Sequence, residues 1–213
     1  MTAGVLPRLT FRPATAEDAT ATVPLIHSSG PAAFDYVFAV PGRSDAQAFL
    51  RRAFVDGAGE FGWRNHVVGV LDGVVVAVGA GYGGATKWPF TLAAARQILG
   101  HYGWRHAAGV IARGLRVEAV IPPPSGDMHY LAHLAVDPVW RGQGFGSALV
   151  GHLLAAATVG SQQVVLDVAT SNPSAQRLYE RLGFVVTGER ASSLSNVQGQ
   201  VPGHRRMRRP ASG

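Results

Sequence analysis

A chain of 213 residues that is 47% hydrophobic and 15% charged can bury a sizeable core and is too apolar for a disordered segment. It contains no cysteine, which excludes disulfides, cysteine-ligated zinc and thiol catalysis. No run of about 18 apolar residues is present to cross a membrane, and MTAGVLPRLTFRPATAEDA lacks the basic and apolar halves of a signal peptide. The expectation is a cytoplasmic protein folded as a single domain over residues 1–213. The net charge is +6, and Arg205, Arg206, Arg208 and Arg209 supply four of those charges where no neighbouring acid balances them. No recognition motif or interleaved aromatics accompany these arginines, which argues against a nucleic-acid partner; a basic edge strand, a tail or a surface that attracts an anionic cofactor accounts for them.

Residues 9–12 (LTFR) alternate as a short strand. Thr15 to Asp18 looks like a capping box opening a helix through Leu25 and Ile26, which fails at Ser28-Ser29-Gly30-Pro31 and is expected to kink or break at Pro24. Ser44-Asp45-Ala46-Gln47 is a second capping box, and Ala48, Phe49, Arg52, Ala53 and Phe54 carry that helix to Gly57. Residues 67–71 and 74–78 flank Asp72-Gly73, a strong hairpin turn, and both arms are apolar enough to be covered on two faces.

A long connection follows over residues 82–126. Residues 92–99 look helical; Trp104, Ala108, Ile111 and Leu115 mark the packed face of a further helix; residues 117–124 (VEAVIPPP) read as extended. Such an insertion packs on the sheet or walls an acceptor site. Further on, residues 163–168 form a strand and Asn172-Pro173-Ser174 breaks it. Residues 175–182 then make a helix ended by Gly183, and 184–188 another strand. After a polar connection over 192–203, Val201 to Met207 closes as the last strand.

The stretch HYLAHLAVDPVWRGQGFG, residues 129–146, organises the rest. Tyr130, Leu131, Leu134 and Val136 make a strand that Asp137-Pro138 stops. A glycine turn follows, and Ala148, Leu149, His152, Leu153 and Ala156 recur at helical spacing. A helix starting on glycines is an anion site, because its first amides lack intrahelical partners and no Cβ intrudes. The spacing fits neither a nucleotide P-loop nor the dinucleotide fingerprint.

Arg141-x-x-Gly144-x-Gly146, directly after a strand ending LAVDP, resembles the pyrophosphate loop of the GNAT N-acetyltransferases. Residues 172–184 are similar to the family's second signature, N-x-x-A-x-x-L-Y-x-x-x-G-F, at every fixed position: Asn172, Ala175, Leu178, Tyr179, Gly183 and Phe184. The resemblance covers about residues 128–190 firmly and 9–80 loosely. It implies an α/β fold with a mixed, mostly antiparallel seven-stranded sheet flanked by helices, whose fourth and fifth strands splay, with the helical insertion at about 82–126 added.

The resemblance further implies acetyl-CoA as cofactor. Its pyrophosphate would lie on Arg141, Gly142, Gln143, Gly144, Phe145, Gly146 and Ser147. Its pantetheine arm would pair with main chain at Leu134, Ala135 and Val136 and touch Asn172, with an amide near Val136 facing the thioester carbonyl. Tyr179 would protonate the leaving thiolate. The reaction implied is acetyl transfer to a small-molecule or peptide amine by direct attack in a ternary complex. No cysteine and no Gly-x-Ser-x-Gly elbow suggests a covalent intermediate.

His133 is the first candidate for general base, since it lies beside the pantetheine-pairing segment and an imidazole titrates near neutrality. Glu118 and Asp127 are second choices; ordered water is an alternative, and so is a buried histidine with only a packing role. His129 shares the parity of His133 unless a bulge intervenes. A metal on these two histidines lacks further ligands at fixed spacing, so none is expected. A non-catalytic acyl-CoA sensor and an interaction protein using the basic C-terminus remain rival readings, and a homodimer stays open.

Overall fold

The structure is a computed structural model that describes residues 9–157 and 163–210. The chain begins with β1 (Thr10–Pro13), then α1 (Ala19–Ser28), α2 (Pro31–Phe38) and α3 (Ala46–Asp56). The hairpin β2 (His66–Leu71) and β3 (Val74–Gly83) follows, then α4 (Lys87–Val120) and β4 (Met128–Val136). The second half is α5 (Phe145–Ala156), β5 (Gln163–Ala169), α6 (Pro173–Arg181) and β6 (Val185–Arg190). A small hairpin of β7 (Ser195–Asn196) and β8 (Gly199–Gln200) precedes β9 (His204–Pro210).

Seven strands form one sheet in the order β1-β2-β3-β4-β5-β9-β6. Every pairing is antiparallel except β4 with β5, which run parallel. The β2–β3 turn has Asp72 and Gly73 at φ 49 and 83, the left-handed pair that matches the twist of a hairpin. One core joins the sheet to α1–α4 through residues such as Ile26, Phe49, Phe54, Val78 and Tyr102. A second joins it to α5 and α6 through Leu131, Leu149, Leu153, Tyr179 and Phe184. A third, around Tyr82, Tyr130 and Val165, sits where β4 and β5 still touch.

Several elements depart from the sequence expectation for identifiable reasons. Pro24 lies inside α1 without ending it. Pro24 and Thr20 are both exposed, so water can take the carbonyl that loses its helical partner. The Ser28–Pro31 break is real, but a further helix starts at once, with Pro31 in its first turn, where a missing N–H costs nothing. The α3 cap is Asp45, whose Oδ1 accepts the Ala48 N–H at 2.7 Å. The Ser44 hydroxyl is instead 2.8 Å from His101 Nε2.

The insertion is largely the single long element α4, bent at Gly103 (φ 67, ψ 168), which separates the two helical stretches read from sequence. The second stretch runs on to Val120, so the expected extended segment begins only after it. The buried face of the second stretch is not the one expected. Trp104 and Leu115, expected inside, are 77% and 62% exposed, while Ala107 and Val110 are buried instead. At the C-terminus β9 starts at His204 rather than Val201 and lies between β5 and β6. Val201 is buried beside it, its N–H donated to the Leu194 carbonyl.

Candidate active site

β4 and β5 pair only through residues 128–130 and 163–165. Beyond Tyr130, β4 bonds β3 alone and β5 bonds β9, so a gap opens inside the sheet. A bulge shapes the open part of β4. Val78 pairs with Ala135 and Ala80 with Ala132, leaving His133 and Leu134 opposite Gly79 alone. His133 sits at φ 55, a conformation a branched or bulky residue rarely adopts. The bulge turns the His133 ring to the α2 side, against Phe34 and Phe61, while Leu134 packs with Leu131 on the α5 side. His129 keeps ideal strand parity with Leu131 and lies over Gly81, where its Nε2 fills the space of a Cβ. The two histidines therefore do not share a site.

After β4 the chain turns through Asp137, whose Oδ1 accepts the Val139 N–H at 2.9 Å. Arg141 Nε donates to the Val136 carbonyl at 3.0 Å and ties the glycine turn to the strand end. Gly142 and Gly144 have φ 79 and 83, and a Cβ on either would meet no protein atom within 4 Å. Glycine is needed there for backbone conformation rather than for space inside the protein. Gly144 caps α5, so the amides of Phe145, Gly146 and Ser147 begin the helix with no intrahelical acceptor. An exposed helix start on two left-handed glycines beside a cationic side chain is a fitting cradle for a pyrophosphate.

A cavity of about 380 Å³ lies on the other face, between α2, α4 and the opened β4, and it reaches Tyr179 of α6. Tyr179 lines it, and burial pushes the phenol up to about 12, so the hydroxyl keeps its proton at neutral pH. His133 lines it too and is anchored from behind. His66 Nδ1 is 2.9 Å from the Gly62 carbonyl, which only accepts, so this nitrogen carries the hydrogen. His66 Nε2 then accepts from His133 Nδ1 at 3.0 Å. That chain leaves the lone pair of His133 on Nε2, which stands 3.7 Å from Glu60 Oε1.

Burial pushes His66 down to about 4, and burial with the neighbouring His66 holds His133 well below its ordinary value. Both rings are neutral at pH 7. Glu60 accepts the Tyr82 hydroxyl at 2.7 Å, and burial raises its carboxyl above the usual range against that hydrogen bond. Tyr82 faces Tyr130 across the strands, and Tyr130 donates to Asp167 at 2.8 Å.

Asn172 is the cap of α6: its Oδ1 accepts the Ala175 N–H at 3.1 Å, and the residue is exposed. Among the second-choice bases, Glu118 lines the cavity, whereas Asp127 is an exposed residue outside it. Sequence reasoning passed over Glu60, Phe61 and His66. Their only local signal is polar and aromatic residues set among the glycines of DGAGEFGWRNH, a segment the apolar patterns on either side leave unread.

The fold superposes on those of solved acetyltransferases. An N-acetyltransferase from Staphylococcus aureus superposes with a TM-score of 0.65 at 16% identity, covering 93% of this chain and 99% of that one. A phosphinothricin acetyltransferase from Sinorhizobium meliloti, solved in complex with acetyl-CoA, gives 0.55 at 19%, covering 96% and 89%. At such identities the likeness is one of fold. Human N-alpha-acetyltransferase 30 is 43% identical over 67 residues, 28% of this chain and 18% of that protein. A Mycobacterium leprae protein of uncharacterized function is 34% identical over 114 residues, 51% of this chain and 30% of that one. The matched stretch thus spans less than a third of these curated relatives. The sequence profile of the Acetyltransferase (GNAT) family matches residues 56–184, and the chain belongs to that family. Acetyl-CoA is the family's acetyl donor. No helix among the described residues is long and apolar enough to cross a membrane.

Proposed function

We propose that the chain, acting as one domain, transfers the acetyl group of acetyl-CoA to a primary amine by direct attack in a ternary complex. One observation carries this reading: a single cavity joins Tyr179 to the lone pair of His133 along the gap between β4 and β5. The α5 amides and Arg141 hold the pyrophosphate, and the β4 edge at Leu134, Ala135 and Val136, which has lost β5 as its partner, pairs with the pantetheine arm. Asn172, whose oxygen caps α6, would have its amide nitrogen free to touch that arm. When bound, acetyl-CoA would supply an activated thioester carbonyl, for which a β4 amide left without β5 would serve as oxyanion donor.

The C–S bond would break as a C–N bond forms: the bound ammonium first gives one proton to solvent and becomes a nucleophile, the attacked nitrogen then loses a second proton to the enzyme, and the sulfur gains one. His133 Nε2 takes the proton, because the hydrogen bond to His66 keeps its other nitrogen protonated. Its low basicity suits a nitrogen already acidified by attack. Tyr179, which keeps its proton, would return one to the departing sulfur. Calorimetric titration of acetyl-CoA should give micromolar binding that Gly144→Glu abolishes in a folded protein. Tyr179→Phe should lower kcat about 10–100-fold with unchanged acetyl-CoA affinity. Binding without turnover of any amine would favour an acyl-CoA sensor; no binding by folded wild type would defeat the reading.

A further inference from the structure

The cavity differs in character from the rest of this basic molecule. Among the described residues no lysine or arginine lines it, although the chain has 19 of them against 13 acids. Of the carboxylates that do, Asp167 is neutralised by Arg206 at 2.7 Å. Among the described residues, Glu60 and Glu118 have no lysine or arginine within ion-pair distance, and the charge of Glu118 raises the cost of ionising Glu60. A basic protein that keeps its cations out of one pocket, and leaves two carboxylates there without them, has built a site for a cation.

Geometry places that cation. Glu60 Oε1 and His133 Nε2 are both acceptors, 3.7 Å apart, which is too far for a bond between them. One nitrogen can stand within about 2.9 Å of both and donate to each. Around that point the wall is apolar. Phe61 stacks on His133 with ring centroids 5.1 Å apart and meets Phe34 edge-on at 5.8 Å. Phe38, Ile98, Val110 and Ile111 continue the lining into α4. A volume of about 380 Å³, part of it adjoining Tyr179, is at the lower end for small-molecule sites, roughly 300–1,000 Å³.

We propose that the acceptor is a small apolar monoamine, an aryl- or alkylamine without a carboxylate, whose ammonium is held between Glu60 and His133 with Glu118 at the rim. This rests on the amine-acetylation reading above and narrows it. A free amino acid would set its carboxylate against Glu60 and Glu118. A polyamine would strand a second charge among phenyl and aliphatic side chains. The rings of Phe34 and Phe61 suit both the apolar body and the cation beside it.

The test pairs steady-state CoA release with calorimetry of 2-phenylethylamine binding to the protein without acetyl-CoA. The panel is 2-phenylethylamine, hexylamine, phenylalanine, spermidine and an alanine-initiated pentapeptide. The first two should exceed the others in kcat/KM by at least about tenfold. Glu118→Gln should weaken 2-phenylethylamine about fivefold in both KM and Kd while acetyl-CoA affinity stays at the wild-type value. Preference for phenylalanine, spermidine or the peptide overturns the proposal, as does an unchanged Kd in Glu118→Gln. Absence of acetyl-CoA binding would defeat the acetyltransferase reading alone, because the amine calorimetry still decides what the cavity holds.

Discussion

The stacked pair His66 and His133, with ring centroids 5.2 Å apart, joins stability to chemistry at the scale of single residues. His66 titrates near 4 when folded, against an ordinary 6.5 in the unfolded chain. Between those values the unfolded chain holds a proton that the folded one does not. Stability is therefore fully present above pH 6.5 and falls as pH drops toward 4, by up to about 3 kcal/mol from this group. His133 acts in the same direction. Urea unfolding at pH 7.5, 6.5 and 5.5 should show this decline, and His66→Gln should flatten it; parallel curves would count against the coupling. Glu60 predicts a second pH effect. Its raised carboxyl affinity means that kcat/KM falls on acidification at a higher pH than for an ordinary carboxylate, and Glu60→Gln should remove that limb. His133 was accessible from sequence because it neighbours a motif. Glu60 and His66 were not, because 67 residues separate the two histidines and 22 separate Glu60 from Tyr82.

Among the elements, the glycine-led α5 and the bulged β4 bear most on function. Alanine at Gly144 would meet no neighbouring atom, so its cost is that of holding φ 83, about 1–2 kcal/mol. Gly144→Ala should lower denaturant stability by that amount while keeping most acetyl-CoA affinity, unlike the charged Gly144→Glu. Loss of binding in Gly144→Ala without loss of stability would mean that the loop contacts its ligand more tightly than its protein neighbours allow. Removing the α3 cap with Asp45→Ala should cost about 1 kcal/mol and leave acetyl-CoA binding unchanged. Strand and helix periodicity located most of these elements within a few residues. The β4 bulge was not readable, because no residue type marks it: it is forced where β4 must pair with β3 yet part from β5.

Across the whole molecule, the most consequential choice is the place of β9. By inserting between β5 and β6 it brings Arg206 to Asp167 and Arg205 to Glu189. The arginines that look unbalanced along the chain are thus partly paired in space, and Arg206 is a core residue. Its side chain is 9% exposed and that of Asp167 2%, so Asp167→Ala, which strands the guanidinium, should cost about 3–5 kcal/mol in thermal or urea unfolding. Arg205→Ala, at a half-exposed pair, should cost under about 1 kcal/mol. Equal effects would show that burial does not govern these pairs. The sequence by itself determined the family, the seven strands and the glycine-led start of α5, because each is written in residues close along the chain whose conformational and hydrogen-bonding demands are local. Only the tertiary structure decided the α4 bend, which face of that helix is buried, the ring orientation of His133, and the acidic, apolar cavity. Those depend on which distant side chains exclude water together, and no spacing in the chain encodes that.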